Sequence, residues 1–168
     1  LVLREIPIRE GDAVTGHVDL VSERAFHWEA DTPSSLIALP GSASDRESEA
    51  RTELLENLAD FDDALLEKLL EDVVPSTEEV YDTLSKDIAR NLVVPVFFGS
   101  ASNAHGIRRV LKALRHDTPG CEFCARRQGL QSGEETRIRI FKTLHAGHAG
   151  KLSLGRVLCG RVGEGDTV

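Results

Sequence analysis

The chain opens on LVLREIPI (1–8), an extended segment with alternating apolar positions. Gly11-Asp12 marks a turn. His17–Val21 and Ala25–Trp28 predict a second and a third strand, so the first quarter reads as antiparallel ribbons. Residues 31–44, rich in Thr, Pro, Ser and Gly, predict a loop. A change of period follows. Leu54, Leu58, Phe61, Leu65 and Leu69 recur every three or four residues and predict one long helix from Asp45 to about Glu71, with that stripe buried. Pro75 closes this unit, and Ser76-Thr77-Glu78-Glu79 is a capping box opening a helix with Val80, Leu84 and Ile88 on one face.

The most informative stretch is LVVPVFFGSASNAHG (92–106). A seven-residue apolar run predicts a buried strand over 92–98. It ends in Gly99-Ser100-Ala101, a polar loop continues to 105, and Ile107, Val110, Leu111 and Leu114 predict a helix over 106–115. A strand that feeds a small-residue loop and then a helix is how α/β proteins build nucleotide sites, beyond the carboxyl ends of their strands. Residues 119–133 are polar and Gly-bearing and read as a linker. Basic and apolar residues then alternate over 137–144 and again over 151–159, separated by a turn at 146–150. This pair reads as the opening of an all-β unit, because two or three strands have no second apolar face to close against.

The acids follow the helical period too. Glu49, Glu53, Glu56, Asp60, Asp63, Glu67 and Glu71 form an acidic stripe, opposed by Arg46, Arg51 and Lys68. Like charges four apart cost a few tenths of a kcal/mol each on a helix, so the stripe is either a solvated outer face or a docking surface for a basic partner. The net charge of -8 argues against a nucleic-acid-coating protein. It is unevenly placed: residues 45–90 hold 5 basic and 15 acidic side chains, whereas residues 91–168 hold 12 basic and 6 acidic ones. Such asymmetry predicts two surfaces for different partners.

No segment approaches the roughly 18 apolar residues of a membrane span. Three Cys give no disulfide framework, and a reducing cytosol is the simplest compartment. The chain holds no Met and begins Leu-Val-Leu, and reads as a fragment or a processed chain. His116, Cys121 and Cys124 lack the fourth ligand that structural zinc needs, and His145 and His148 flank a turn, so no metal site is expected. No phosphate loop G-x-x-x-x-G-K-[ST] occurs in the sequence, so a nucleotide site here is only part of a site. No catalytic set stands out.

In order, the segments GHVDLVSERAFHW, ELLENLADFDDALLEKLLE, STEEV, VVPVFFGSASNAHGIRRVLKAL and FKTLHAGHAGKLSLGRVLCGRV resemble translation elongation factor G and its elongation-factor-G-like relatives over nearly the whole chain. The resemblance implies an α/β chain in four parts: residues 1–91 as the α+β insertion subdomain of a P-loop GTPase domain, 92–116 as its last strand and helix, 117–136 as a linker, and 137–168 as the first strands of an antiparallel β-barrel. It implies that Gly99, Ser100 and Ala101 form the fifth guanine-contact motif, with the Ala101 N–H aimed at guanine O6, and that the parent binds GTP with Mg²⁺ held outside this chain. It further implies action on the ribosome in translation elongation (translocation) in the cytoplasm. The ribosomal stalk protein would meet Glu49, Glu53, Glu56, Asp60, Asp63 and Glu67, and ribosomal RNA would meet the strands near Arg137, Arg139, Lys142 and Lys151. Neither membrane nor DNA is an expected partner.

His116–Cys121 replaces the family's usual Pro-Ser-Pro, and the hairpin tip 145–150 lacks the common Pro and aromatics, which points to the elongation-factor-G-like branch. Two other classes fit the same residues: a non-enzymatic stalk-binding module, and a related release or ribosomal-protection factor. Without the phosphate loop, this chain alone is expected neither to hydrolyse GTP nor to bind it tightly.

Overall fold

The computed structural model describes residues 1–29, 32–130 and 135–167. Asp31 of the expected loop, residues 131–134 of the expected linker and Val168 lie outside them. The chain divides into two compact units, Leu1–Thr118 and Pro119–Val168.

In the first unit one extended path serves two sheets. Strand β1 (Val2–Leu3) pairs in parallel with β6 (Pro95–Val96), and β2 (Glu5–Glu10) then pairs antiparallel with β3 (Ala13–Asp19). The change of partner falls at Arg4, whose N–H donates to the Val96 carbonyl while its own carbonyl accepts from the Leu20 N–H. Strands β4 (Arg24–His27) and β5 (Ser35–Ile37) complete an antiparallel sheet in the order β2-β3-β4-β5. The sheet's inner residues (Ile6, Ile8, Val18, Leu20, Ala25) form one core with Leu54 and Leu58 of helix α1 (Gly41–Ala59), Leu65 of α2 (Asp63–Leu70), and Val80 and Leu84 of α3 (Thr77–Arg90). Leu58, Val80 and Leu84 are wholly buried, each stabilising the fold by roughly 1.5–3 kcal/mol through removal of apolar surface from water.

The predicted 45–71 helix is two helices. It begins earlier, at Gly41, and stops at Ala59, because the Asp62 carboxylate accepts from the Ala64 and Leu65 N–H groups and starts α2 afresh. The apolar period runs on through the break, except that Phe61, in the connection, is exposed. Within the expected loop, Ser35–Ile37 pairs with β4 as an edge strand. The capping box forms as predicted, with the Ser76 hydroxyl accepting from the Glu79 N–H and the Glu79 carboxylate accepting from the Ser76 N–H.

The expected buried strand at 92–98 is shorter and less covered than its composition implies. Only Pro95–Val96 pair; Val93 is buried while Leu92 and Val94 are exposed. Helix α4 (Ile107–His116) forms as predicted but turns a different face inward. Ala113 is buried and Arg109 is largely covered, whereas Ile107, Leu111 and Leu114 are exposed.

In the second unit, helix α5 (Cys121–Arg127) occupies part of the expected linker. Ala125 is buried, and the Cys121 thiol donates to the Val157 carbonyl at 3.1 Å. Gly129, at φ 73°, lets the chain turn out of the helix. Strands β7 (Arg137–Ala146) and β8 (Gly150–Cys159) form the expected hairpin around a 3₁₀ turn at Gly147–Ala149. Ile140, Phe141, Leu144 and Leu152 on it are exposed. No helix among the described residues is long and apolar enough to cross a membrane.

Candidate functional site

Gly99, Ser100 and Ala101 lie where the chain leaves β6 and turns toward α4. The loop is pinched shut by two reciprocal hydrogen bonds: Ser100 N–H to the His105 carbonyl and His105 N–H to the Ser100 carbonyl, each at 3.0 Å. The Ser100 and Ser102 hydroxyls lie 3.1 Å apart within it. Residues 101–104 are exposed. Two glycines set how tight the pinch is. A Cβ on Gly99 would lie 2.6 Å from the His105 carbonyl oxygen, and one on Gly106, at φ 74°, would lie 2.4 Å from the Phe98 carbonyl oxygen. Among the described residues the Ala101 N–H makes no hydrogen bond, so the loop presents an unpaired backbone donor at its exposed rim. A cavity of about 550 Å³ opens beside it, lined by His17, Phe26, Asn103, Gly106, Ile107 and Lys112 among others.

Behind the loop lies a buried polar cluster. Glu5, wholly buried, accepts the Phe98 N–H at 3.2 Å on Oε2. Its Oε1 lies 3.4 Å from Arg109 Nε and 3.5 Å from His17 Nε2. Arg109 also pairs with Asp19, whose other oxygen accepts the Val21 and Ser22 N–H groups. The Trp28 indole N–H donates to His17 Nδ1 at 2.9 Å, and the Trp28 ring stacks on His105 with centroids 5.1 Å apart. Because indole nitrogen is only a donor, His17 Nδ1 must be unprotonated, and its single proton sits on Nε2, facing Glu5.

Burial controls these protonation states. It pushes the Glu5 carboxyl up to about 7, against the opposing pull of the Phe98 N–H and the Arg109 and Arg4 charges. It pushes His17 down to about 4, so the imidazole is neutral near pH 7. Asp19 is subject to the same desolvation, but Arg109, Arg4 and two backbone donors together hold it below the usual carboxylate range.

The acidic side chains fall on two helices. Glu49, Glu53 and Glu56 are exposed on α1, with Asp60 at its C-cap, and Asp63 and Glu67 are exposed on α2. Of the three cations expected to oppose them, Arg51 is buried and turned inward, bonded to the Leu20 and Val21 carbonyls and paired with Glu23. Lys68 pairs with Glu79 of the capping box. The acidic face is therefore less neutralised than the sequence implies. On the hairpin, Arg137, Arg139, Lys142 and Lys151 are all exposed, and Arg139 sits directly across from Arg156. Among the described residues no group of three or more His, Cys, Asp or Glu side chains is arranged to hold a metal ion.

Glu5, His17, Trp28 and Arg109 belong to no motif in the sequence. One signal is present: Arg4-Glu5 places two adjacent charges inside the extended apolar segment 1–8. Such a break inside a strand marks either a surface register or a buried polar contact.

The first unit thus ends in a strand, a small-residue loop and a helix, in the arrangement of an α/β nucleotide site. Comparison with known proteins bears on the fold and the relatives of the chain. The chain is 34% identical over 170 residues to an elongation factor G-like protein of Synechocystis, a match that spans all of this chain and 25% of that protein. It is 30% identical over 182 residues to elongation factor G 2 of Syntrophomonas wolfei, across 98% of this chain and 26% of that protein. A crystal structure from Thermus thermophilus has the same fold, with a TM-score of 0.78 over 98% of this chain and 24% of that one, at 23% identity. No protein-family model matches the chain. The chain is homologous to a segment of elongation factor G-type proteins, and spans about a quarter of the length of the relatives it matches.

Proposed function

We propose that this chain is the base-reading and partner-docking part of an elongation factor G-type GTPase that acts on the ribosome in the cytoplasm. Residues 1–91 would be the insertion subdomain of the GTPase domain, 92–116 its last strand and helix, and 137–168 the start of a β-barrel domain. The observation that carries the reading is the pinched loop 99–106, with its unpaired Ala101 N–H, in a chain homologous to these proteins. A backbone donor at that point favours guanine, whose O6 accepts, over adenine, whose amino group would leave the donor unpaired. The small side chains of Gly99 and Ala101 let a flat base approach. With no phosphate loop in its sequence, the chain is assigned base recognition; phosphate binding, Mg²⁺ and hydrolysis belong to residues outside it.

The test compares GDP with ADP binding to the whole GTPase before and after Ala101→Pro, which deletes the N–H. The expected result is a loss of guanine preference of roughly 10- to 100-fold, the effect of one unsatisfied polar contact. Unchanged preference refutes the assignment.

A second reading concerns docking. The exposed acids of α1 and α2, with Arg51 and Lys68 otherwise engaged, favour a basic partner, for which the resemblance to elongation factor G implies the ribosomal stalk protein. The exposed cations of the hairpin, including the Arg139–Arg156 pair that costs stability by itself, favour a phosphate backbone such as ribosomal RNA.

A further inference from the structure

We infer that Glu5 is a positioning residue for the loop 99–106: through Phe98, Arg109 and the His17–Trp28–His105 chain it holds both ends of that loop, and a ring inside it, against the β2–β5 sheet. The inference deepens the guanine reading and rests on it for its functional meaning.

The loop has no core of its own. Residues 101–104 are exposed, and its closure is two backbone hydrogen bonds between Ser100 and His105. Its orientation must therefore come from its ends. Glu5 Oε2 accepts the Phe98 N–H, one residue before Gly99, which fixes where the loop begins. Glu5 Oε1 faces the Nε of Arg109, three residues past Gly106, and Arg109 is held again by Asp19, which fixes where the loop ends. His105, within the loop, stacks on Trp28, and the Trp28 N–H leads through His17 back to Glu5. One hydrogen bond and one ion pair thus run from one carboxylate to the two ends of the loop, and the neutral His17 ring sets the Trp28–His105 stack beside it.

A carboxylate buried at a strand junction is costly unless its contacts repay the desolvation. An apolar side chain could fill the same space but could not hold the Phe98 N–H and Arg109 at once. The charged and titratable groups around Glu5 are Arg4 beside it, His17 and Asp19 from β3, and Arg109 from α4. Held in this way, the Ala101 donor meets a base with little loop ordering left to do, which is how preorganisation strengthens binding.

The test is amide hydrogen exchange on the chain itself, without nucleotide. Glu5→Ala is expected to speed exchange at Ser100 and His105 by about tenfold or more while the Leu84 amide in α3 keeps its rate. Wild-type exchange at both loop amides, with α3 intact, overturns the inference. If Glu5→Ala does not fold, Trp28→Phe decides: it keeps a ring against His105 and removes the indole N–H. Faster exchange at His105 supports the chain of contacts, and an unchanged rate overturns it.

A second readout separates positioning from mere packing. The Phe98 amide resonance is expected to titrate with a midpoint near 7 in the wild type and not in Glu5→Gln, which keeps an acceptor for the N–H. A Phe98 resonance that titrates identically in both overturns the role of Glu5. None of these readouts uses nucleotide, so an unchanged base preference in Ala101→Pro counts against the guanine reading while loop exchange alone judges the positioning.

Discussion

The Glu5 carboxylate accepts the Phe98 N–H at 3.2 Å, across 93 positions of sequence. That one contact ties the first strand pair of the chain to the residue before the small-residue loop. With the Arg4 N–H to Val96 carbonyl bond, the Arg109–Asp19 pair and the Trp28–His105 stack, it joins the antiparallel sheet to the strand–loop–helix.

Glycine at both ends of the loop is required for different reasons. Gly99→Ala places a methyl 2.6 Å from a backbone oxygen, and Gly106→Ala adds a φ of 74° to a 2.4 Å clash. Each is expected to cost about 1–3 kcal/mol in urea unfolding and to abolish the protection of the Ser100 and His105 amides. Gly11→Ala is the control: its φ is 60° but nothing lies within 4 Å, so a cost of about 1 kcal/mol is expected with the loop unaffected. Equal loop protection in all three proteins contradicts this account.

Glu5 and His17 tilt the pH dependence of stability in opposite directions. Glu5 rises from 4.5 in the unfolded chain to about 7 when folded, so its contribution is full below pH 4.5 and is lost as the pH climbs toward 7. His17 falls from 6.5 to about 4, so its contribution is full above pH 6.5 and is lost as the pH drops toward 4. Each slope amounts to roughly 3 kcal/mol across its window, and the two largely cancel between pH 4.5 and 6.5. Glu5→Gln is expected to leave stability rising with pH over that window relative to wild type, and His17→Asn to leave it falling. Urea midpoints at a series of pH values read both. Parallel profiles for wild type and the two variants contradict the assignment.

Charge reversal on the acidic face separates docking from folding. Glu53→Lys, Glu56→Lys and Asp60→Lys together remove like-charge neighbours at helical spacing, and are expected to leave thermal stability the same or slightly raised, by a few tenths of a kcal/mol per pair. They are expected to abolish binding to ribosomal stalk protein at low salt, measured by calorimetry. Undiminished binding by the triple variant removes this face from consideration.

The helix cap outweighs the ion pair beside it. Ser76→Ala deletes the acceptor for the Glu79 N–H and is expected to cost about 1 kcal/mol. Lys68→Ala breaks an ion pair whose partners are 38% and 47% exposed, and is expected to cost less than about 0.5 kcal/mol. Leu58→Ala, at a wholly buried position, sets the scale at about 2–5 kcal/mol. Thermal unfolding of the three proteins gives the order, and a Lys68 effect as large as that of Ser76 contradicts it.

Where local chemistry decides an element, the residues were readable in advance. Ser76 and Glu79 declare a helix start, and the alternation through Arg137 and Lys151 declares a hairpin; the apolar run 92–98 declares a strand, of which only Pro95–Val96 pair. Where a distant segment decides, they were not. Asp62 restarts a helix without disturbing the apolar period, so Leu65 and Leu69 looked continuous with Leu58. Ser35–Ile37 becomes a strand only because β4 offers an edge. On α4 Arg109 and Ala113 are covered while Leu111 and Leu114 are exposed, which no count of apolar spacing contains. The three loop residues are singled out by motif, whereas Glu5, His17 and Trp28 are hidden because each reads as an ordinary strand residue until the fold brings them together.

The Ser100–His105 pinch has a practical consequence for protein engineering. The loop is a ring closed at fixed points, and between them only 101–104 face solvent. Lengthening a closed loop costs little entropy, about 0.6 kcal/mol for each doubling. Foreign peptide grafted between Ser102 and Asn103 is therefore expected to be carried as a bulge on the Ser100–His105 clasp. The ring marks where this scaffold accepts new sequence.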